Sequence, residues 1–370
     1  MEKRTKVAII GSRGYPYVYS GYETFIKETF EQLADKFDIH VYCHSRLFKD
    51  KPRLVNGITL HYLPSIDRKS LNQLSHSFIS TLNALLFNRF DLILFVNTAN
   101  GPFGLLTRLM RVKTAIITDG LEWKRPKWRG FGSKYFYWAS KLSTKVFDVL
   151  ISDSSEMRKF YKKEFKTDSV LIEYGAHLKY STNPELIEQF NVVPNEYYLV
   201  VARLVPDNNA DLIVKSFTNL RSSKKLIIVG DVPYEDEYAR NIKAAASENV
   251  IFTGYITDQK LLQELYSNCF VYIHGHEHGG TNPTLLKALG YGCCILASDT
   301  VFSREVLQSE KHGVYFEKNV DSMSQKLDFL ESNPGTVSTY KAESRTRISE
   351  YYNWPRIASE YEKLFIEMTK

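Results

Sequence analysis

Short apolar runs alternate with longer amphipathic stretches along most of this chain. Such runs, bounded by Gly, Asp or Asn, are typical of strands that are buried on both faces of a parallel sheet. The stretches between them repeat apolar residues every three or four positions, which predicts helices. In the first half, the predicted strands are 7–10, 39–43, 59–63, 92–96, 114–118 and 149–152, and the predicted helices are 24–37, 72–87 and 134–147.

A polar stretch between residues 175 and 196 interrupts this alternation, and its Asn-Pro and Pro-Asn pairs predict a linker. The pattern then resumes. The predicted strands are 198–202, 225–229, 250–253, 270–273 and 294–297, and the predicted helices are 211–220, 235–246, 258–267, 284–289 and 356–366.

The repeated alternation predicts an α/β fold of two Rossmann-like domains, whose parallel sheets face each other across a cleft. A length of 370 residues is sufficient for two hydrophobic cores. We expect a first domain at 1–176, a linker at 177–196, a second domain at 197–350 and a C-terminal helix at 351–370 that crosses back to the first domain. Ligands of open parallel sheets bind beyond the carboxyl ends of the strands, so the cleft is the expected active site.

Composition excludes several classes of protein. The net charge of +6 is modest and no nucleic-acid motif accompanies it, so we expect no nucleic-acid partner. The four cysteines form no C-x-x-C pair, which favours reduced thiols in a cytosolic protein. No apolar run approaches the roughly 20 residues of a spanning helix, and the N-terminal run is too short for a signal peptide. We therefore expect a cytoplasmic protein in which any membrane contact is peripheral.

The segment 269–299 carries the strongest ligand signal. A predicted strand leads into Gly279-Gly280-Thr281-Asn282-Pro283, and a predicted helix follows. Glycines let backbone amides approach a ligand, and a helix N-terminus carries partial positive charge. The segment therefore predicts an anion site suited to a diphosphate, with a tight turn that binds nothing as the alternative.

A second glycine turn follows the first strand. Gly11, Arg13 and Gly14 lie on it, and Gly21 opens the next predicted helix. The spacing differs from G-x-G-x-x-G, so a dinucleotide fingerprint is only weakly indicated, and a purely structural turn remains open.

Several segments together resemble the retaining GT-B glycosyltransferases of glycosyltransferase family 4. In the C-terminal half these are VARLVPDN (201–208), KLIIVGD (225–231), NVIFTGYI (249–256), the segment 279–299 and NWPRIASEYEKLF (353–365). The N-terminal half resembles one bacterial subgroup, often described as rhamnosyltransferases, through GSRGYP (11–16), SGYETF (20–25) and DGLEWKRPKW (119–128), and GGTNP (279–283) is similar to the same subgroup.

The resemblance implies a GT-B fold, a nucleotide-sugar donor linked to dTDP or UDP, retention of anomeric configuration, and neither cofactor nor metal. Arg203 follows the first strand of the second domain, and its guanidinium fork suits a bidentate phosphate contact. The alternative for Arg203 is a surface or interdomain salt bridge. Asn208 stands where family members usually carry a lysine, and Lys287 or Arg13 is the candidate to replace that charge.

Two glutamates of the wider family are missing. The matching positions hold Gly279 and Lys287, and the subgroup usually retains the second glutamate, which binds ribose. Glu277 cannot be assumed to substitute for either, and Lys287 either pairs with phosphate or is solvated. The donor site implied by the resemblance comprises Gly11, Arg13, Gly14, Gly21, Arg203, Asn208, Gly254, Tyr255, His276, Gly279, Gly280, Thr281, Asn282 and Lys287.

Asp119 takes the position of a histidine of the wider family, and Glu122 follows it. We expect Asp119 to position the acceptor with support from Glu122, and Arg203 to complete the catalytic set; a helix cap is the alternative for Asp119. His274, His276 and His278 alternate, but the neighbouring glycines disfavour a zinc geometry, so we expect hydrogen bonding there and no metal.

Residues 122–147 interleave cations with aromatic residues, a pattern that suits an anionic lipid surface and a lipid-diphosphate-linked saccharide acceptor. The alternative is a basic helix whose aromatic residues enter the core. The candidate membrane and acceptor residues are Trp123, Lys124, Arg125, Lys127, Trp128 and Arg129.

Our first hypothesis is a hexosyltransferase that moves L-rhamnose from dTDP-rhamnose to a lipid-linked saccharide in bacterial polysaccharide synthesis. A non-catalytic sugar-binding partner of an assembly complex is a second hypothesis, motivated by Asn208, Gly279 and Lys287. A nucleotide-sugar 2-epimerase is a third. A nicotinamide oxidoreductase is least favoured, because the first glycine turn lacks its fingerprint. The oligomeric state stays open.

Overall fold

The structure is a computed structural model that describes residues 4–16, 21–68, 71–118, 120–125, 128, 130–220, 222–232 and 236–370. The chain divides into two compact units, and its last helix returns to the first of them. The first unit comprises Met1–Tyr174 and Trp354–Lys370, and the second comprises Gly175–Asn353.

The first unit is built on an eight-stranded sheet. Its strands are β1 (Lys6–Ile10), β2 (Asp38–His44), β3 (Leu54–Val55), β4 (Ile58–Leu63), β5 (Leu92–Val96), β6 (Lys113–Thr118), β7 (Val149–Ser152) and β8 (Val170–Leu171). They lie in the order β3-β4-β2-β1-β5-β6-β7-β8. Only β3 is antiparallel to its neighbour among these described strands.

The second unit carries a six-stranded sheet in which every described pair is parallel. Its strands are β9 (Tyr197–Val201), β10 (Lys225–Val229), β11 (Val250–Gly254), β12 (Val271–His274), β13 (Ile295–Ser298) and β14 (Val314–Phe316). They lie in the order β11-β10-β9-β12-β13-β14. The direction of the crossovers changes between β9 and β12, and such a switch point is where open sheets bind ligands.

Helices flank both sheets. In the first unit they are α1 (Gly21–Phe30), α2 (Asn72–Asn83), α3 (Gly104–Leu109), α4 (Phe131–Val146) and α5 (Ser155–Phe165). In the second they are α6 (Ala210–Asn219), α7 (Glu237–Ala245), α8 (Gln259–Asn268), α9 (Pro283–Gly290), α10 (Val301–Leu307), α11 (Val320–Ser332) and α12 (Pro334–Glu350). The final helix, α13 (Trp354–Thr369), belongs to the first unit.

Helix α13 packs its aromatic face on α1. The ring of Tyr361 lies 5.1 Å from that of Phe25, and the ring of Phe365 lies 6.0 Å from that of Phe30, between centroids. All four side chains are buried. Aromatic contacts of this kind contribute beyond the area that they bury, so α13 is part of the core of the first unit.

Two predicted helices differ from those observed. The helix predicted over 24–37 begins at Gly21, and its α-helical part ends at Phe30, where a 3-10 turn takes over. The helix predicted over 72–87 stops at Asn83, and a π-turn covers Ala84–Asn88 before Arg89 adopts a positive φ of 44°. In both cases the apolar pattern continues through a change of helix type, because side-chain periodicity alone does not fix the hydrogen-bond register.

Candidate functional site

A shallow recess opens in the second unit beside its switch point. It lies at the carboxyl ends of β12 and β13 and at the N-terminal ends of α9 and α10. The lining residues are His274, His276, Glu277, His278, Gly279, Gly280, Asn282, Leu285, Thr300, Phe302, Ser303 and Val306. Four predicted donor residues, His276, Gly279, Gly280 and Asn282, therefore come together there.

The glycine turn is shaped by backbone conformation and by a helix cap. Gly279 has a φ of 131°, which L side chains rarely adopt, and the turn needs glycine at that point. The side-chain oxygen of Asn282 accepts hydrogen bonds from the Thr284 amide at 2.9 Å and its hydroxyl at 2.8 Å. Pro283 then opens α9. Asn282 thus fixes the start of the helix that was predicted to face a diphosphate.

Two stacked imidazoles form one side of the recess. The ring of His274 lies 4.5 Å from that of His276, between centroids, at an interplanar angle of 16°. His274 is buried, and its Nδ1 has no hydrogen-bond partner among the described residues. Burial, with a smaller contribution from His276, holds the pKa of His274 well below its ordinary value. A neutral imidazole can exchange hydrogen bonds with a hydroxyl group of a ligand.

Glu277 is held by several polar groups. Its Oε1 accepts a hydrogen bond from Asn209 at 2.7 Å and forms an ion pair with Lys318. Its Oε2 lies 4.0 Å from Nε2 of His278. A carboxylate that is already neutralised by a lysine is fixed in place, so any hydrogen bond that it makes to a ligand has a defined direction.

Arg203 projects from the turn after β9, the strand next to β12. The side-chain amide of Asn208 donates to the carbonyl oxygen of Arg203 at 2.9 Å, and Asn208 is buried. The guanidinium itself is exposed and makes no hydrogen bond or ion pair within the described parts of the chain. Asn208 therefore braces the turn, and Arg203 is left with its five donors for a ligand.

Lys287, on α9, is half-buried. Its Nζ lies 3.5 Å from Oε1 of Gln259 and 5.9 Å from the ring centroid of Tyr291. Burial lowers the pKa of this lysine. No carboxylate of the described residues forms an ion pair with it, so an anionic ligand would find its charge uncompensated.

Gly254 and Tyr255 lie at the end of β11, on the far side of β10. Gly254 has a φ of 67°, and its carbonyl accepts from the Gly230 amide at 2.8 Å. The hydroxyl of Tyr255 donates to the carbonyl of Asp231 at 2.8 Å. Neither residue lines the recess, whereas Thr281 is buried in the turn beside it.

The first glycine turn packs closely against its own unit. A Cβ on Gly11 would collide with the carbonyl oxygen of Val96 and would lie 2.6 Å from Nδ2 of Asn100. A Cβ on Gly14 would lie 2.7 Å from that of Cys43. These glycines are needed for packing, whatever else the turn does.

Side chains from two helices hold the same turn. Nε2 of Gln73, on α2, donates to the carbonyl of Gly11 at 2.8 Å. The Arg13 amide donates to Oε1 of the buried Glu23 at 2.8 Å, two residues after Gly21 opens α1. Neither Gln73 nor Glu23 was predicted to hold this turn, because nothing local in the sequence links their side chains to it.

Of the predicted catalytic residues of the first unit, Asp119 lies outside the described residues. Glu122 is buried, and its carboxylate accepts a hydrogen bond from the Trp128 indole at 2.7 Å and pairs with Arg125 at 3.1 Å. These contacts stabilise the turn in which Glu122 lies. An acceptor that contacted Glu122 would have to share the carboxylate oxygens with Trp128 and Arg125.

The two tryptophans predicted for a membrane surface are half-buried. Trp123 packs 5.7 Å from Tyr137 and 5.9 Å from Phe160, and Trp128 lies 4.8 Å from Phe136, between ring centroids. Lys124 is exposed above the ring of Phe160. The predicted Lys127 and Arg129 are not among the described residues. Both tryptophans are half-buried and contact aromatic side chains of their own unit.

Thr300, Phe302 and Ser303 line the recess but were not predicted. Thr300 caps α10 by accepting from the Ser303 amide at 3.0 Å. The signal was present in the sequence, since a Thr two residues after an apolar strand repeats the strand–cap–helix order of the glycine turn.

Within the described ranges, no group of three or more His, Cys, Asp and Glu side chains is arranged to hold a metal ion. No helix of those ranges is long and apolar enough to cross a bilayer.

Both halves of the chain are similar to known protein families. Residues 183–353 match the family described as glycosyl transferases group 1, and residues 102–177 match a domain of unknown function, DUF1972. An uncharacterized glycosyltransferase of Methanocaldococcus jannaschii is 23% identical over 97% of this chain and 98% of its own length.

Two other proteins are similar. A Campylobacter jejuni enzyme, N-acetylgalactosamine-N,N'-diacetylbacillosaminyl-diphospho-undecaprenol 4-alpha-N-acetylgalactosaminyltransferase, is 23% identical over 42% of this chain and 43% of its own. The solved structure of HepE from Anabaena in complex with UDP superposes with a TM-score of 0.77 at 14% identity, over 98% of this chain and 100% of that one. The chain is therefore a glycosyltransferase with a GT-B fold, and its residues 183–353 are similar to the group 1 glycosyltransferases.

Proposed function

We propose that this glycosyltransferase moves a hexose from a nucleotide sugar to a lipid-linked saccharide on the inner face of the plasma membrane, in the synthesis of a bacterial cell-surface polysaccharide. The donor that we favour is dTDP-L-rhamnose, transferred with retention of configuration and without a metal ion. The observation that carries the proposal is the recess at the switch point, where a glycine turn and a helix start lie at the carboxyl end of β12. Arg203 follows β9, the strand paired with β12. The UDP bound by HepE and the undecaprenol-linked acceptor named for the Campylobacter enzyme support the donor and acceptor classes.

The parts of the second unit have distinct tasks in this proposal. Arg203 and the amides at the start of α9 neutralise the diphosphate, whose charge grows as the sugar leaves. The imidazoles of His274 and His276 bind hydroxyl groups of the sugar, and the carboxylate of Glu277 accepts a hydrogen bond from another hydroxyl group. In the first unit, Asp119 and Glu122 are the proposed acceptor contacts.

Lys287 is the reason for favouring a deoxyribonucleotide. The family resemblance implies a ribose-binding carboxylate at this position, and the half-buried ammonium of Lys287 cannot accept a hydrogen bond from a hydroxyl. A 2'-deoxyribose lacks one of the two hydroxyls that such a carboxylate would bind. A site without the carboxylate therefore loses less with dTDP than with UDP.

Calorimetric titration of dTDP, UDP and their sugar conjugates tests donor binding. Arg203→Ala should weaken dTDP binding roughly tenfold or more, because a charge-assisted contact to phosphate is lost. The control, Lys215→Ala, removes an exposed cation of the same unit. Equal binding by the Arg203 variant would contradict the phosphate role. Lys287→Glu should shift the preference towards UDP, and an unchanged ratio would remove the argument for dTDP.

Product analysis separates the three hypotheses. A transferase releases nucleoside diphosphate from dTDP-rhamnose when a lipid-linked acceptor is present. An epimerase changes the donor sugar without an acceptor, and a sugar-binding partner binds the donor but does neither. Either of the last two results would overturn the proposed reaction.

A further inference from the structure

The positive charge of this chain is concentrated in one segment. Residues 92–147 contain ten Lys and Arg and only two acids, which gives this segment a net charge of +8. The whole chain has a net charge of +6, so all the other residues together are net negative. A modest overall charge thus conceals a strongly basic region, and most of that region consists of α3, α4 and the turns around them.

Helix α4 exposes a regular stripe of aromatic and basic side chains. Phe131 is 83% exposed and Trp138 is 50% exposed, although both are large apolar residues. Lys134, Lys141 and Lys145 are exposed between and beyond them. The five positions follow spacings of three and four residues, so they share one face of the helix. The opposite face, which includes Phe136, Ala139, Ser140 and Ser143, is buried.

The end of α3 continues this surface. Leu109 is 80% exposed, and Leu105 and Met110 are each 51% exposed. The guanidinium of Arg108 donates to the carbonyl of Lys145, which joins the end of α3 to the end of α4.

A basic recess of about 370 Å³ adjoins that junction. Arg108, Arg111 and Lys113 line it together with Asp148. The Asp148 carboxylate accepts from the Thr114 amide at 2.7 Å and lies 3.3 Å from the Thr114 hydroxyl. The cations of the recess therefore outnumber its one carboxylate.

We propose that the exposed faces of α3 and α4 bind the surface of an anionic lipid bilayer. Phe131 and Trp138 would sit at headgroup depth, where aromatic side chains are favoured, and the lysines between them would pair with lipid phosphates. A second copy of the chain fits less well, because an isologous contact would bring two strongly basic faces together. Phe131 and Trp138 are more exposed than Trp123 and Trp128, which are half-buried against neighbouring rings.

This proposal rests on the proposed function, because the surface would supply the membrane contact for a lipid-linked acceptor. Vesicle binding needs neither donor nor acceptor, so it succeeds or fails independently of the transfer reaction. The full chain is mixed with vesicles of phosphatidylcholine alone, or of equal parts phosphatidylcholine and phosphatidylglycerol, and bound protein is measured by flotation.

Binding should require phosphatidylglycerol and should weaken as salt is raised. The triple variant Lys134→Gln, Lys141→Gln, Lys145→Gln should lower the partition coefficient roughly 100-fold, and Phe131→Ser with Trp138→Ser should lower it at least roughly tenfold. The matched charge control changes Lys215, Lys260 and Lys311, exposed lysines of the second unit, to Gln. The matched aromatic control is Phe329→Ser, at a residue of α11 that is 44% exposed.

Circular dichroism and dTDP binding verify that each variant is folded. Equal losses of vesicle binding in test and control variants would contradict a lipid-binding face on α3 and α4 and would indicate a general effect of charge. Binding that is unaffected by the α4 variants, or equal on neutral vesicles, would also overturn it. Concentration-dependent dimerisation abolished by the same variants, without vesicle binding, would assign the face to a second copy instead.

Discussion

The two glycine turns arise from similar sequence and have different surroundings. Each follows a buried parallel strand at a switch point, β1 in the first unit and β12 in the second. Each also lies near a stacked imidazole pair, His44 with His76 at 3.7 Å and His274 with His276 at 4.5 Å between ring centroids. The first turn is filled by Val96, Asn100 and Cys43, whereas the second opens on a recess.

The difference shows that a strand–glycine–helix order specifies a backbone shape, not a ligand. In the first unit, Gln73 and Glu23 occupy the carbonyl of Gly11 and the amide of Arg13. In the second unit, the turn opens on a recess lined by polar side chains, among them His274, whose Nδ1 has no hydrogen-bond partner in the described ranges. Whether a glycine turn can take a diphosphate therefore depends on what the rest of the fold places against it.

The largest effect is expected for a substitution in the first glycine turn, and it distinguishes a role in packing from a role in ligand binding. Gly11→Ala should lower the free energy of unfolding by about 3 kcal/mol, because the new Cβ meets backbone and Asn100 and φ is 110°. Urea denaturation followed by tryptophan fluorescence measures this. Gly254→Ala is the matched control, since its φ is 67° but nothing lies within 4 Å of the added carbon, and it should cost about 1 kcal/mol.

A Gly11→Ala variant with undiminished stability and weakened dTDP binding would contradict the contrast between a packed first turn and an open second turn. The first turn would then be a ligand site like the second, as the sequence analysis expected of Gly11.

The next effect concerns pH and the imidazole pair of the first unit. Burial, together with His76 and Arg13, lowers the pKa of His44 to about 3, and burial lowers that of His76 to about 4. Both values lie below the 6.5 of an unfolded histidine, so the unfolded chain binds more protons and stability falls as pH drops below 6.5. Each imidazole should cost roughly 1 to 2 kcal/mol between pH 7 and pH 5.

Urea denaturation at pH 7, 6 and 5 tests this sign and size. His76→Gln removes one titrating group and should flatten the dependence by about one proton. A slope that is unchanged in this variant would show that His76 does not stay neutral in the folded protein.

The smallest effect concerns the cap of the second turn. Asn282→Ala should cost about 1 kcal/mol of unfolding free energy, because the Thr284 amide loses its acceptor. Asn282→Asp keeps that acceptor and should retain stability. If Asn282→Asp instead weakens dTDP binding while stability is kept, the amide nitrogen of Asn282 binds the ligand, and the second turn is a binding turn as well as a cap.

The strands were the predictable part of the fold, because runs buried on both faces, such as 7–10 and 92–96, have no other common explanation. The two-residue strand β3 was not predicted, since it is antiparallel, at an edge, and too short to show a period. Helices α11 and α12 were also not predicted, because much of their surface is polar.

At the site, local sequence predicted the glycine turn but not the contacts that determine whether the turn can bind a ligand. Glu277 is held by Asn209 and Lys318, which are distant from it along the chain. Gln73 reaches Gly11 in the same way. Such pairs depend on how the elements pack, and a single sequence does not show them.

The return of α13 to the first unit has a consequence for synthesis on the ribosome. The nascent first unit lacks the aromatic partners of Phe25 and Phe30 until residues 354–370 have emerged. Every residue of the second unit has been translated before then. The part of the polypeptide that is made first is therefore the part whose core is completed last, and a stop codon near the 3' end of the message would damage the amino-terminal unit.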